Sequence, residues 1–212
     1  MRIVWLSPLW LILLAGCNEL YYRGAYEEDR DHPRERMVAQ IEALHGVQED
    51  LQAQIVDTLD CFYRLTQGDG IEPEPRYDAL NRAFDESQRR KEAFSRYIEA
   101  IPRSVDTMLE AWQAELQAQR ERPRLEQYRM REVKRRWRSL HESMLETEAY
   151  LDAVMAEYKA QLIALSYSLN ADTLLELEDH FTVLEQRVDS LLSALQRLYD
   201  QSEAFSEPLT DV

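Results

Sequence analysis

Apolar residues recur along this chain at alternating spacings of three and four, the pattern of helices that bury one face against each other. The first register runs Met37, Ile41, Leu44, Gln48, Leu51, Ile55, Thr58, Phe62 and Leu65. Gln67-Gly68-Asp69-Gly70 with Pro73 and Pro75 then predicts an abrupt turn. A second register comprises Tyr77, Leu80, Phe84, Ser87, Lys91, Phe94, Ile98, Ile101, Val105, Met108 and Trp112. Pro102 interrupts the chain but not this phase. It is expected to kink one continuous helix, at a cost of about 3 kcal/mol, and not to reverse the chain. Pro123 marks the next turn, before Met130, Val133, Trp137, Leu140, Met144, Thr147, Leu151, Val154, Tyr158, Gln161 and Leu165. The fourth register, Leu174 to Phe205, is out of phase with the third by two residues, which one coiled-coil insertion does not produce. Thr173-Leu174-Leu175-Glu176 also has capping-box spacing, so a new helix starts there.

The expected fold is therefore all-α: an antiparallel, coiled-coil-like four-helix bundle with helices at about 34–67, 75–121, 124–169 and 173–205, joined by short turns. Pairing about the turns sets Arg34 opposite Thr107 and Phe205 opposite Trp137. Four helices then overlap for roughly 50 Å, and Met108 to Arg136 of the long central pair projects as a hairpin of roughly 20 Å.

Ahead of the first helix, Arg2 is followed by Ile3 to Leu14, a run without charge that suits a signal-peptide core and is too short to span a bilayer. It ends in Leu14-Ala15-Gly16-Cys17, which resembles the bacterial lipobox, and that resemblance implies acylation of the Cys17 thiol and cleavage before it. The expected organisation is a signal peptide over 1–16, a lipid-proximal linker over 17–33 and the bundle over 34–207. In the lipoproteins that this tetrad resembles, aspartate directly after the cysteine favours inner-membrane retention, so by that resemblance Asn18 implies an outer-membrane location with the body in the periplasm.

Composition narrows the chemistry. With 25 Lys plus Arg against 40 Asp plus Glu, a net charge of −15, the chain lacks the overall basic surface that nucleic acid requires. An apolar share of 45% is too high for a disordered acidic tail. None of the five glycines follows Gly70, so the later helices contain no Gly-rich phosphate loop. Cys61 is the one cysteine left once Cys17 is acylated, so no intramolecular disulfide is expected.

Catalytic patterns are thin. Glu42-Ala43-Leu44-His45 has the Glu-x-x-His spacing of a di-iron bundle, but that site needs a second such pair, and the sequence supplies none. Carboxylates such as Glu176, Glu178 and Asp179 read as a solvated face. No enzyme activity, cofactor or metal is expected. The exception to uniform acidity is Arg120, Arg122, Arg124, Arg129, Arg131, Lys134, Arg135, Arg136 and Arg138, nine bases among three acids. Their plain role is pairing with Asp106, Glu110, Glu115 and Glu121 across the hairpin. Their sharper role is a site for anionic lipid head groups at a membrane-facing tip, or for an envelope protein.

Tyr21-Tyr22, Phe62-x-x-Leu65 before the glycine turn, Tyr77-Asp78-Ala79-Leu80, Met108 to Leu116 and Leu169-Asn170-Ala171 occur in an order and spacing that resembles a bacterial lipoprotein family, domain of unknown function 2959. The resemblance covers essentially the whole mature chain and implies location, with no activity, ligand or catalytic residue. Two functions follow as expectations. One is a non-enzymatic outer-membrane lipoprotein acting as a helical spacer or interaction module. The other is a carrier of lipid or a small apolar ligand in a groove between helices, suggested by polar residues at the nominal core positions Gln48, Ser87, Lys91, Thr147 and Gln161.

Overall fold

The computed structural model describes residues 33–66, 73–118, 124–167, 169 and 171–210, apart from the side chains of 171–179. Four helices fill it: α1 (Pro33–Thr66), α2 (Pro73–Ala118), α3 (Arg124–Tyr167) and α4 (Ala171–Thr210). Prolines stand at the first position of α1 and α2, where the missing N–H costs nothing and the fixed φ suits the helix. Glu35, Glu74 and Glu126 lie in first turns, where a negative charge meets the positive end of the helix dipole. The expected signal peptide, Cys17, residues 17–32 of the linker and the turn at Gly68 to Gly70 lie outside the described residues.

Helix α1 packs on α2 and α4, and α3 packs on the same two, so the helices form a closed square of antiparallel neighbours. Most described positions of the predicted registers are buried; Tyr77, Lys91, Trp137, Gln161 and Phe181 are half-buried, Leu162 is buried in place of Gln161, and the side chains of Leu174 and Leu177 lie outside the described residues. Leu51, Ile55 and Phe62 of α1 face Leu80, Phe94 and Val105 of α2, Leu140, Leu151 and Val154 of α3, and Leu191, Leu195 and Leu198 of α4 in one continuous core. Tyr158 crosses the square's diagonal, stacking on Phe62 with ring centroids 5.2 Å apart and donating from its hydroxyl to the Ile55 carbonyl at 2.8 Å. Burial pushes its phenol far above the usual value, so the hydroxyl stays a donor.

Helix α2 runs unbroken through Pro102, with Ile101 and Val105 both buried, as the uninterrupted heptad phase predicts. Trp137 meets Phe205 at 5.8 Å between centroids, and Pro33, Met37, Ser104 and Thr107 line one small cleft, so both pairing registers match expectation. The fourth helix departs from it. It continues past the expected end at 205 through Pro208 to Thr210 and buries Leu209, the next heptad position after Phe205. On the α4 side the hairpin consequently projects less than the expected 20 Å, while on the α1 side it rises about 18 Å. Leu116 and Met130 are still buried, and beyond them α3 extends by about 10 Å.

Candidate functional site

The two flanks of the hairpin are walled unequally. Helix α2 has 46 residues against 34 in α1, whereas α3 has 44 against 40 in α4. The α4 wall thus climbs almost to the tip, while α1 stops about 18 Å short. The step between them is a half-open cleft of about 660 Å³, bounded by Arg34, Val38, Trp112, Leu116, Glu126 and Leu209 among others.

Arg34 and Trp112 form the floor. The Arg34 guanidinium lies 3.9 Å from the Trp112 ring centroid and 3.5 Å from Glu115, an arrangement that combines cation–π attraction with an ion pair. Trp112 is 2% exposed and Arg34 9%. Trp112 Nε1 and Arg34 Nε are nevertheless buried without a hydrogen-bond partner among the described residues. From the sequence, Arg34 is only the start of the first helix. The signal was its place three residues before Met37, which is the next position of the same buried register.

The basic segment divides into inward and outward members. Arg120 and Arg122 lie outside the described residues. Arg136 turns inward: it donates from Nε to Glu132 at 2.9 Å, from Nη1 to Glu207 at 2.7 Å and from Nη1 to the Ala204 backbone carbonyl. Ala204 precedes Pro208 by four residues, so Pro208 has no N–H to offer that carbonyl and Arg136 fills the gap. Glu207 and Glu132 hold the Arg136 guanidinium charged, and Arg135 and Arg136 hold the Glu132 carboxyl below the usual carboxylate range. Arg129 pairs with Glu126 at 2.9 Å and Arg135 with Glu132 at 2.5 Å. Arg124, Arg131, Lys134 and Arg138 are exposed and have no ion pair among the described residues. The anticipated pairing with Asp106 and Glu110 is not found there, and Glu115 pairs with Arg34.

The other singled-out residues have structural partners. Gln48 donates to the Leu195 carbonyl at 2.7 Å, though its Oε1 has no partner among the described residues. Thr58 and Ser87 share a hydrogen bond of 2.8 Å, Thr147 donates to the Ser143 carbonyl at 2.7 Å, Gln161 donates to Glu157 at 2.9 Å, and Lys91 pairs with Asp152. These polar positions are thus occupied by contacts inside the bundle and do not mark a groove. His45 Nε2 lies 2.5 Å from Ser202 Oγ and its Nδ1 lies 3.6 Å from Glu203. Burial lowers its pKa despite the opposing pull of Glu203, Glu49 and Glu42. Among the described residues, no three His, Cys, Asp or Glu side chains are grouped to hold a metal ion. Cys61 is half-buried and unpaired, and burial pushes its thiol pKa up. No described helix is long and apolar enough to cross a membrane.

No curated protein and no solved structure matches the chain. A family model described as a protein of unknown function (DUF2959) matches residues 21–209, from just after the lipobox-like tetrad to the buried Leu209. The chain belongs to the DUF2959 family.

Proposed function

We propose that this protein is a non-enzymatic lipoprotein of the bacterial outer membrane, held by lipid on Cys17, whose periplasmic helical body is a spacer and interaction module. The observation that carries this reading is the filled interior, apolar along the bundle and closed at Gln48, Thr58 and Thr147 by hydrogen bonds to neighbouring helices. Such a body holds a fixed length and offers outer faces; α2 alone spans about 69 Å. Leu14-Ala15-Gly16-Cys17 supports the anchor. Growth on a radiolabelled fatty acid should label the wild type and spare Cys17→Ala, which should also leave the membrane fraction. Equal labelling of both would contradict the anchor. For the module, a photocrosslinker at Val56, exposed on α1 away from the basic segment, should yield a discrete adduct in cells, and diffuse or absent adducts would contradict it.

The second reading, a carrier of lipid or another small apolar ligand, is favoured by the cleft above Arg34. Two buried N–H groups there lack acceptors among the described residues, Val38, Leu116 and Leu209 supply apolar wall, and about 660 Å³ suits a small ligand. Val38→Trp, which fills the cleft, should then abolish lipid retained through purification. Identical lipid content in wild type and variant would dismiss the carrier.

A further inference from the structure

The first four turns of α3 carry a cationic stripe on the side away from the core. Arg124, Tyr128, Arg131, Arg135 and Arg138 follow one another at spacings of four, three, four and three, and all five are exposed. Met130, Val133 and Leu140 occupy the buried side of the same turns. Lys134 adds a sixth exposed group beside the stripe. Arg124, Arg131, Lys134 and Arg138 have no ion pair among the described residues, and Arg135, although it meets Glu132, keeps 68% of its side chain in solvent. Leu125 and Tyr128 are each 60% exposed at the end nearest the tip. The stripe is about 21 Å long and ends where Glu142 and Glu146 follow on the same side.

We propose that this face is a contact surface for anionic lipid head groups and that it docks the flank of the hairpin, not its tip, against a membrane. Arginines spaced along about 21 Å of one face, all but Arg135 without an ion pair among the described residues, suit a plane of many phosphates better than one compact ligand, because the row is longer than a single phosphate group. Tyr128 and Leu125 supply the amphipathic and apolar side chains that settle at head-group depth. The remaining surface of this acidic protein is repelled by the same membrane, so the charge pattern selects one face. The anchor at Cys17 enters this proposal only by keeping the membrane nearby.

The test uses the full chain extracted from bacterial membranes and mixed with vesicles of phosphatidylcholine alone or with about one-third phosphatidylglycerol. Flotation reports attachment, and amine-reactive labelling read by mass spectrometry reports the flank. Lys159, exposed farther along α3, is the internal control. Lys134 should be labelled about threefold more slowly than Lys159 on anionic vesicles and alike on neutral ones. High salt, or Arg131→Glu with Arg135→Glu in a variant whose helical signal and melting are unchanged, should remove the difference. Flotation on anionic vesicles alone with Lys134 protected retains the flank contact and loses the anchor. Flotation on both with Lys134 unprotected retains the anchor and overturns the flank contact. Equal protection on both vesicle types assigns the face to a protein partner and also overturns it, as does failure to float on either.

Discussion

The middle of the bundle and its hairpin end share the same heptad registers and close them by different chemistry. In the middle, Leu51, Phe62, Leu151 and Leu195 belong to one packed core, and polar intruders are bonded to other helices: Gln48 to Leu195, Thr58 to Ser87 and, across the diagonal, Tyr158 to Ile55. At the hairpin end fewer helices surround the axis, and cations complete the walls. Arg34 covers Trp112, and Arg136 occupies the carbonyl that Pro208 leaves open. The middle should therefore resist salt and fail when side-chain volume is removed. The hairpin end should tolerate loss of a single charge with a local response.

The largest expected effect lies in the middle. Tyr158→Ala deletes a buried ring and its hydroxyl contact, and should destabilise the bundle by about 3–5 kcal/mol in a denaturant titration. A loss below about 1 kcal/mol would mean that the diagonal contact is dispensable. Next is Arg34→Ala, which removes a desolvated cation–π contact and should cost about 2 kcal/mol while exposing Trp112 to a collisional fluorescence quencher. An unchanged quenching profile would show that Arg34 does not seal the ring.

Most of this contrast was legible in the sequence, because volume and polarity at heptad positions directly determine which side of a helix is buried. The phase across Pro102 read correctly as one helix, since Ile101 and Val105 hold the same register on either side. At Pro208 the phase alone does not decide, because Leu209 continues that of Phe205 while a proline just beyond the last predicted turn also suits a helix end. What offsets the lost hydrogen bond is Arg136, distant in sequence and outside the reach of any local rule. Arg34 was hidden for a related reason: its charge contradicted the register position that it occupies. Gln48, Thr58 and Thr147 are visible as anomalies, but whether they are bonded or line a groove depends on groups that other helices bring to them.

The proline relation offers a sharper test. Arg136→Ala should cost about 1–1.5 kcal/mol and loosen the last turns of α4. In a Pro208→Ala background the backbone N–H returns to Ala204, so the same substitution should cost distinctly less; equal costs in both backgrounds would refute the substitution of one donor for the other. The smallest effect expected is at His45. Its folded pKa lies below the ordinary 6.5, so the unfolded chain takes up the proton first and stability falls as pH drops through that value toward the folded one. Melting between about pH 7.5 and 5.5 should decline in the wild type and less in His45→Gln, a window above most carboxylate titration. Parallel declines would assign the slope to other groups.

Hydrogen exchange resolved along the chain, at low salt and at about 0.5 M salt, tests the division between the two regions most directly. Amides of α1 around Leu51 and of α3 around Leu151 should exchange slowest and be indifferent to salt, while those near Leu116, Met130 and Leu209 should exchange faster and accelerate as salt is added. Uniform protection along α3, or the same salt response at Leu151 as at Met130, would contradict a bundle whose middle is closed by apolar packing and whose hairpin end is closed by charge.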